Sequence, residues 1–254
     1  MRFFDVRRLH VVQRLVCASV VSAAVLWGSA AASSLNVSPV RLELAPGQSS
    51  GTIEVNNRGD RPAILQAQLF EWNQSIGAED QYLPTRALVV TPAVFTVPPG
   101  ERQVVRVGVR QAAPDAPDER AYRLLMKEVP PAEEATGPGL RIALQINLPV
   151  FIAPGQPVRT ESQWTATRLS SDTLKLSVEN TGNTHLQITQ LNLSSDDGAL
   201  GLTDSAPSLM YVLPGRAQAW TLTTRRPLPE TGQTITVRAD TNHGDRRDQL
   251  TLGS

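Results

Sequence analysis

From residue 37 onward the chain alternates apolar and polar side chains in short runs rich in Val, Ile, Leu and Thr, and turn-forming Gly, Pro, Asn and Asp separate the runs. A period of two sends successive side chains to opposite faces of an extended segment, so each run predicts a strand and none carries the 3.6-residue period of a helix. Strands are expected at residues 37–44, 52–56, 63–72, 103–109, 122–129 and 140–152. Prolines at 98, 99, 130 and 131 mark strand ends, because proline cannot donate to a ladder. Residues 153–157 (Ala-Pro-Gly-Gln-Pro) read as a linker, after which the pattern resumes at 164–169, 174–179, 186–193, 210–213, 218–224, 234–239 and 249–252. The polar stretch 133–139 reads as a loop. The number and spacing of these runs predict an all-β chain of two β-sandwich domains, at 33–153 and 154–254.

The first 32 residues follow a different rule. Arg2, Arg7, Arg8 and Arg14 precede an apolar run from Leu15 to Trp27, and Ala30, Ala31 and Ala32 supply a small-residue cleavage pattern. These are the parts of a signal peptide. The apolar run is 13 residues long, short of the roughly 20 needed to span a bilayer, so an anchor is not expected. Cleavage after Ala32 leaves 222 residues, enough for two cores.

Composition then narrows the function classes. The single cysteine, Cys17, lies in the leader, so no disulfide is expected in an oxidising compartment and burial of apolar surface must hold the fold. Loss of the leader removes four arginines and one aspartate from a chain with 24 basic and 24 acidic residues, leaving a small negative balance. Neither nucleic-acid binding nor stable membrane insertion is indicated. Only His185 and His243 remain as histidines, both in turn-like sequence (Asn183-Thr184-His185 and Asn242-His243-Gly244), where solvated loop positions are expected. No HExxH or GxxxxGK pattern is present. Catalysis, metal binding and an ATP-driven mechanism are therefore not expected, and no cofactor is implied. Trp72, Trp164 and Trp220 fall on strand patterns and read as packing residues.

Several segments, in order, resemble the periplasmic chaperones of the chaperone-usher pilus pathway. Val37-Ser38-Pro39-Val40-Arg41-Leu42 resembles their first-strand motif. Val55-Asn56-Asn57 with Arg61-Pro62-Ala63 resembles the second strand and turn, and Thr91-Pro92 through Pro99-Gly100 resembles a recurrent TP…PG segment. The most specific match is Asp118-Glu119-Arg120-Ala121-Tyr122-Arg123-Leu124-Leu125-Met126-Lys127-Glu128-Val129-Pro130-Pro131, followed by Leu140-Arg141-Ile142-Ala143-Leu144-Gln145. The resemblance covers nearly all of residues 35–154, while the second half matches in general pattern only. It implies two immunoglobulin-like sandwiches joined at an angle, pilus or fimbrial subunits and an outer-membrane usher as partners, a periplasmic location and no enzymatic activity.

The resemblance also assigns roles. Leu140, Ile142, Leu144 and Ile146 alternate with Arg141, Ala143, Gln145 and Asn147, giving one apolar face. Alternation alone suits an ordinary core strand equally well. In the family this strand is the free edge that completes a subunit lacking its own last strand, so the four residues are expected to be donated to the partner. The family anchors the subunit's C-terminal carboxylate with an arginine on the first strand, matched by Arg41, and a lysine late in the edge strand. The lysine position falls here on Pro149, and Pro149-Val150-Phe151 suits the archaic, or spore-coat-like, branch. Arg123 is the candidate second cation, because a guanidinium can hold a carboxylate with two bonds. The rival reading is a secreted structural β-sandwich adhesin or pilus component, which would sit in an assembled fibre rather than co-purify with single subunits.

Overall fold

The computed structural model describes residues 34–76, 79–129, 143–203 and 210–254. Among these every regular element is a strand. The first part contains β1 (Leu35–Ser38), β2 (Leu42–Leu44), β3 (Ser50–Asn57), β4 (Ala63–Asn73), β5 (Gln81–Pro84), β6 (Leu88–Thr91), β7 (Val94–Val97), β8 (Arg102–Val109), β9 (Arg120–Glu128) and β10 (Gln145–Ile152). One sheet runs β1-β3-β8-β6; the other runs β2-β10-β9-β4-β5, with β7 also paired to β4. Their facing residues, among them Leu44, Ile53, Leu65, Val107, Leu124 and Val150, form one core. The alternation read from the sequence is what fills it: along β9, Tyr122, Leu124 and Met126 point inward.

The second part contains β11 (Ser162–Arg168), β12 (Thr173–Asn180), β13 (Leu186–Ser195), β14 (Gly198–Ala199), β15 (Met210–Val212), β16 (Ala217–Thr223), β17 (Thr234–Thr241) and β18 (Gly244–Gly253). They make one eight-stranded sheet in the order β14-β13-β17-β18-β11-β12-β16, with β15 paired to β13. The parallel pairing of β11 with β18 at Ala166–Leu252 joins its two halves around a core that includes Trp164, Leu176, Ile188, Ile235 and Leu252.

Three expectations need correction. The run 37–44 is two strands, β1 in the first sheet and β2 in the second, with the cis Ser38–Pro39 peptide between them. Residues 81–97 hold three strands of four residues each, too short to show a periodic signal. The last strand begins at Gly244 rather than near 249, because residues 242–243 make a tight hairpin turn with β17. Leu140 and Ile142 lie outside the described residues, as does the 133–139 loop.

No strand lies between Ile152 and Ser162. That connection is pinned to the first part by Gly155, whose N–H donates to the Ala116 carbonyl at 2.8 Å. A Cβ at Gly155 would overlap the Pro114 carbonyl oxygen, so only glycine allows this approach.

Candidate functional site

β10 is the element on which the site turns. On one side it pairs with β9 along its whole length, from Gln145–Lys127 to Ile152–Arg120. On the other side β2 pairs only with Val150, Phe151 and Ile152. Residues 145–149 therefore form a sheet edge with no strand neighbour on that side among the described residues. The ladder with β9 continues one residue further out, where the Glu128 N–H donates to the Leu144 carbonyl at 2.9 Å. Leu144 and Ile146 are half-buried, and Ile146 packs against the first core. They share their face with Leu148, Val150 and Ile152, which lie in that core. One apolar face thus serves the chain's own sandwich at the inner end of the strand and runs out toward its edge beyond Ile146.

The opposite face of the same sheet carries the cations. Pro149 lies directly opposite Arg123 in the β9–β10 ladder. Val150 lies opposite Leu42 in the parallel β10–β2 pairing, so Arg41 precedes Leu42 as Pro149 precedes Val150. Arg41, Pro149 and Arg123 consequently occupy one row across three strands, with Cα atoms of the two arginines about 10 Å apart by strand spacing. The compact ring of Pro149 adds no charge and no main-chain N–H between them.

Both arginines are already engaged. Arg41 Nε lies 2.7 Å from Glu43 Oε1, and its Nη1 donates to Gln187 Oε1 at 2.7 Å. The Arg123 guanidinium stacks on Trp72, 3.6 Å from the ring centroid, with Tyr211 and Tyr82 rings near it. Arg123 Nη2 is 3.9 Å from Asp80 Oδ2, and its Nε is buried without a partner. Burial draws the Arg123 guanidinium below its ordinary value, with Tyr82, Asp80 and Tyr211 acting in the opposite direction. Desolvation of this kind makes a cation hungry for an anion that can follow it out of water.

The row sits beside the contact between the two β units. Trp72, Ala121 and Phe151 of the first pack with Leu213 and Tyr211 of the second in a separate apolar cluster. Phe151 stacks on His185 at 3.8 Å between centroids and 10° between planes. Gln74, itself buried, bridges the units by donating to the Tyr211 carbonyl at 2.9 Å and accepting from the Leu213 N–H at 2.9 Å. Glu119 clasps the start of β13: it accepts from Thr184 Oγ1 at 2.9 Å and from the His185 N–H at 3.1 Å, and its two oxygens lie 2.8 and 3.0 Å from His185 Nδ1. Asn183 adds bonds to the Pro117 and Pro157 carbonyls.

His185 is therefore not the solvated loop residue expected from sequence. Its side chain is 4% exposed, because the packing of two units covers what local sequence marks as a turn. His243 is exposed, as expected, and its Nε2 lies 2.9 Å from the His185 carbonyl oxygen. Trp72 and Trp164 are buried, Trp72 in the contact between the units rather than in the first core. Glu43, Asp80, Glu119 and Gln187 escaped the sequence reading; Glu43, two residues from Arg41 on one strand face, is the one whose spacing could have shown it.

Beside this contact a cleft of about 580 Å³ is lined by Glu71, Tyr122, Arg86, Arg120 and Arg216 among others. No group of His, Cys, Asp and Glu among the described residues could hold a metal ion, and no described helix is long and apolar enough to cross a membrane.

Comparison with known proteins finds relatives of this fold. Residues 34–157 match the family model of the pili and flagellar-assembly chaperone, PapD N-terminal domain. The chaperone protein FimB/FhaD of Bordetella pertussis is 27% identical over 158 residues, covering 58% of this chain and 63% of the relative's length. A similar fold is found in a chain of the CsuC–CsuE chaperone-tip adhesion subunit pre-assembly complex, from the archaic chaperone-usher Csu pili of Acinetobacter baumannii. That match has a TM-score of 0.62 at 18% identity and covers 87% of this chain and all of that one. The Pseudomonas aeruginosa CupB2 chaperone matches with a TM-score of 0.55 at 17% identity, over 86% of this chain and 100% of that one. The complex of SafA pilin with the SafB chaperone from Salmonella enterica matches with a TM-score of 0.58 at 18% identity, over 87% of this chain and 97% of that one. Residues 34–157 thus form a PapD N-terminal domain of the pili and flagellar-assembly chaperones, set in a two-unit all-β fold shared with solved pilus chaperones.

Proposed function

We propose that the protein is an ATP-independent periplasmic chaperone that binds pilus or fimbrial subunits, stabilises them by donating the free edge of β10 and delivers them to an outer-membrane usher. The observation that carries this reading is the one-sided pairing of residues 145–149, which leaves main-chain donors and acceptors available to a further strand. Proteins avoid leaving such edges bare unless the edge has a partner. Leu140, Ile142, Leu144 and Ile146 supply the apolar side chains for the subunit's open groove. Each large apolar side chain fully buried is worth about 1.5 to 3 kcal/mol. Leu144 and Ile146 give less, both being already half-buried in the free chain. The sum rivals the roughly 5 to 15 kcal/mol that holds a domain folded, which suits a subunit unstable without its last strand.

Arg41 and Arg123 hold the subunit's terminal carboxylate, one from each side of Pro149. Their place in a single row beside Phe151 and Tyr211 supports that role. Pro149 in place of the edge-strand lysine, within Pro149-Val150-Phe151, suits the archaic branch. The leader ends at Ala32, the two units divide at 153/154, and the protein catalyses no reaction.

Co-expression with candidate subunits followed by purification from the periplasm tests the reading. One-to-one complexes are expected. A chain found only in assembled fibres, or alone with every subunit tried, contradicts it.

A further inference from the structure

We propose that Glu43 and Asp80 are internal stand-ins for the subunit's terminal carboxylate: they neutralise Arg41 and Arg123 in the free chaperone and are displaced when a subunit docks. This rests on the reading of the two arginines as the carboxylate anchor. The geometry of the free site is that of an anchor already occupied. Glu43 Oε1 stands 2.7 Å from Arg41 Nε, and Asp80 Oδ2 stands 3.9 Å from Arg123 Nη2. Each arginine of the row thus has one acidic partner from its own chain, and each acid is the more exposed member of its pair, at 55% for Glu43 and 30% for Asp80. The acids can swing into water while the arginines stay fixed, Arg41 by Gln187 and Arg123 by its stack on Trp72.

Asp80 has a second tie that links its departure to the contact between the units. Gln74 Nε2 donates to Asp80 Oδ1 at 3.1 Å while the same amide bridges to Tyr211 and Leu213. The stand-ins have two consequences. They spare a partly desolvated pair of guanidiniums from mutual repulsion in the free chain. They also set a threshold, because an incoming carboxylate gains only the difference between its own contacts and those it displaces.

The sign of the effect separates this role from a merely positioning one. Glu43→Gln and Asp80→Asn keep the shape and one acceptor oxygen but remove the charge. The probe is the C-terminal peptide of a subunit that co-purifies with the wild-type chain, made as free acid and as C-terminal amide, and titrated into the full chain. Each variant is expected to bind the free acid about three- to tenfold more tightly than wild type, the range of one partly exposed ion pair, and to bind the amide unchanged. Glu54→Gln, which removes an equal charge beside Arg102 on the other sheet, is expected to change neither. Weaker or unchanged binding of the free acid by both variants, or an equal gain for the amide, overturns the proposal. Failure of the anchor itself looks different: the wild-type chain would then bind acid and amide equally.

Discussion

Pro149 and Arg123 face each other across the β9–β10 ladder, and Arg41, the residue before β2, completes their row. A proline placed here leaves the neighbouring strands to supply positive charge from both sides. The proposed carboxylate anchor is thereby split between the segments flanking the edge strand, rather than resting on the edge strand itself.

Removing either cation should cost capture without costing the fold. Arg41→Ala and Arg123→Ala are expected to weaken subunit binding by about 2 to 5 kcal/mol each, the usual cost of truncating one partner of a desolvated charge pair. Arg123→Lys should not restore it, because an ammonium can neither stack flat on Trp72 nor offer two parallel donors. Titration of wild-type and variant chains with purified subunit checks this; unchanged affinity of Arg41→Ala means the anchor lies elsewhere.

The clasp between Glu119 and His185 should matter to how the two units hold together. Glu119→Ala leaves the Thr184 hydroxyl, the His185 N–H and His185 Nδ1 without their acceptor in a buried site. Each unsatisfied group costs about 1 to 3 kcal/mol. Denaturant unfolding of the variant is expected to show lower stability and a broader transition, as the units uncouple. A single transition with the wild-type midpoint would contradict this.

Tyr122 gives the first unit a pH signature. Its phenol is raised above 10.0, chiefly because burial disfavours the phenolate, with Glu71 adding to the rise and Arg120 opposing it. The neutral phenol is favoured in the folded state, so stability is intact below the unfolded value and falls as pH climbs through the raised folded one. Melting temperatures of wild type and Tyr122→Phe, followed from pH 8 to pH 11, should diverge in slope, with the variant losing less. Parallel slopes would show that Tyr122 does not titrate as described.

Most strands of the first unit were legible because each buries one face, and a two-residue period is a direct record of that burial. β5, β6 and β7 were not, since four residues hold too few alternations to stand out. The break between β1 and β2 was hidden because both halves alternate while serving different sheets. Of the proposed site, Arg41 was named from a family motif and Arg123 from the chemistry of its guanidinium. Their partners were not: Gln187 lies 146 positions from Arg41 in the chain, and Asp80 meets Arg123 only when β4 and β5 fold back beside β9. His185 was misread for the same reason, its burial arising from the packing of the second unit on Phe151.

The central claim, that the outer part of β10 is an edge kept for a partner, is tested most directly by Leu144→Asp, measured as a thermal melt of the free chain beside co-purification of its subunit. Leu144 is half-buried and lies beyond the fully buried stretch that begins at Leu148. The expected result is a melting temperature close to wild type with capture lost, while Gln145→Asp on the opposite face keeps capture. A large fall in the free melting temperature would place Leu144 in the protein's own core, where an unpaired buried carboxylate costs several kcal/mol, and would contradict the donated-edge account.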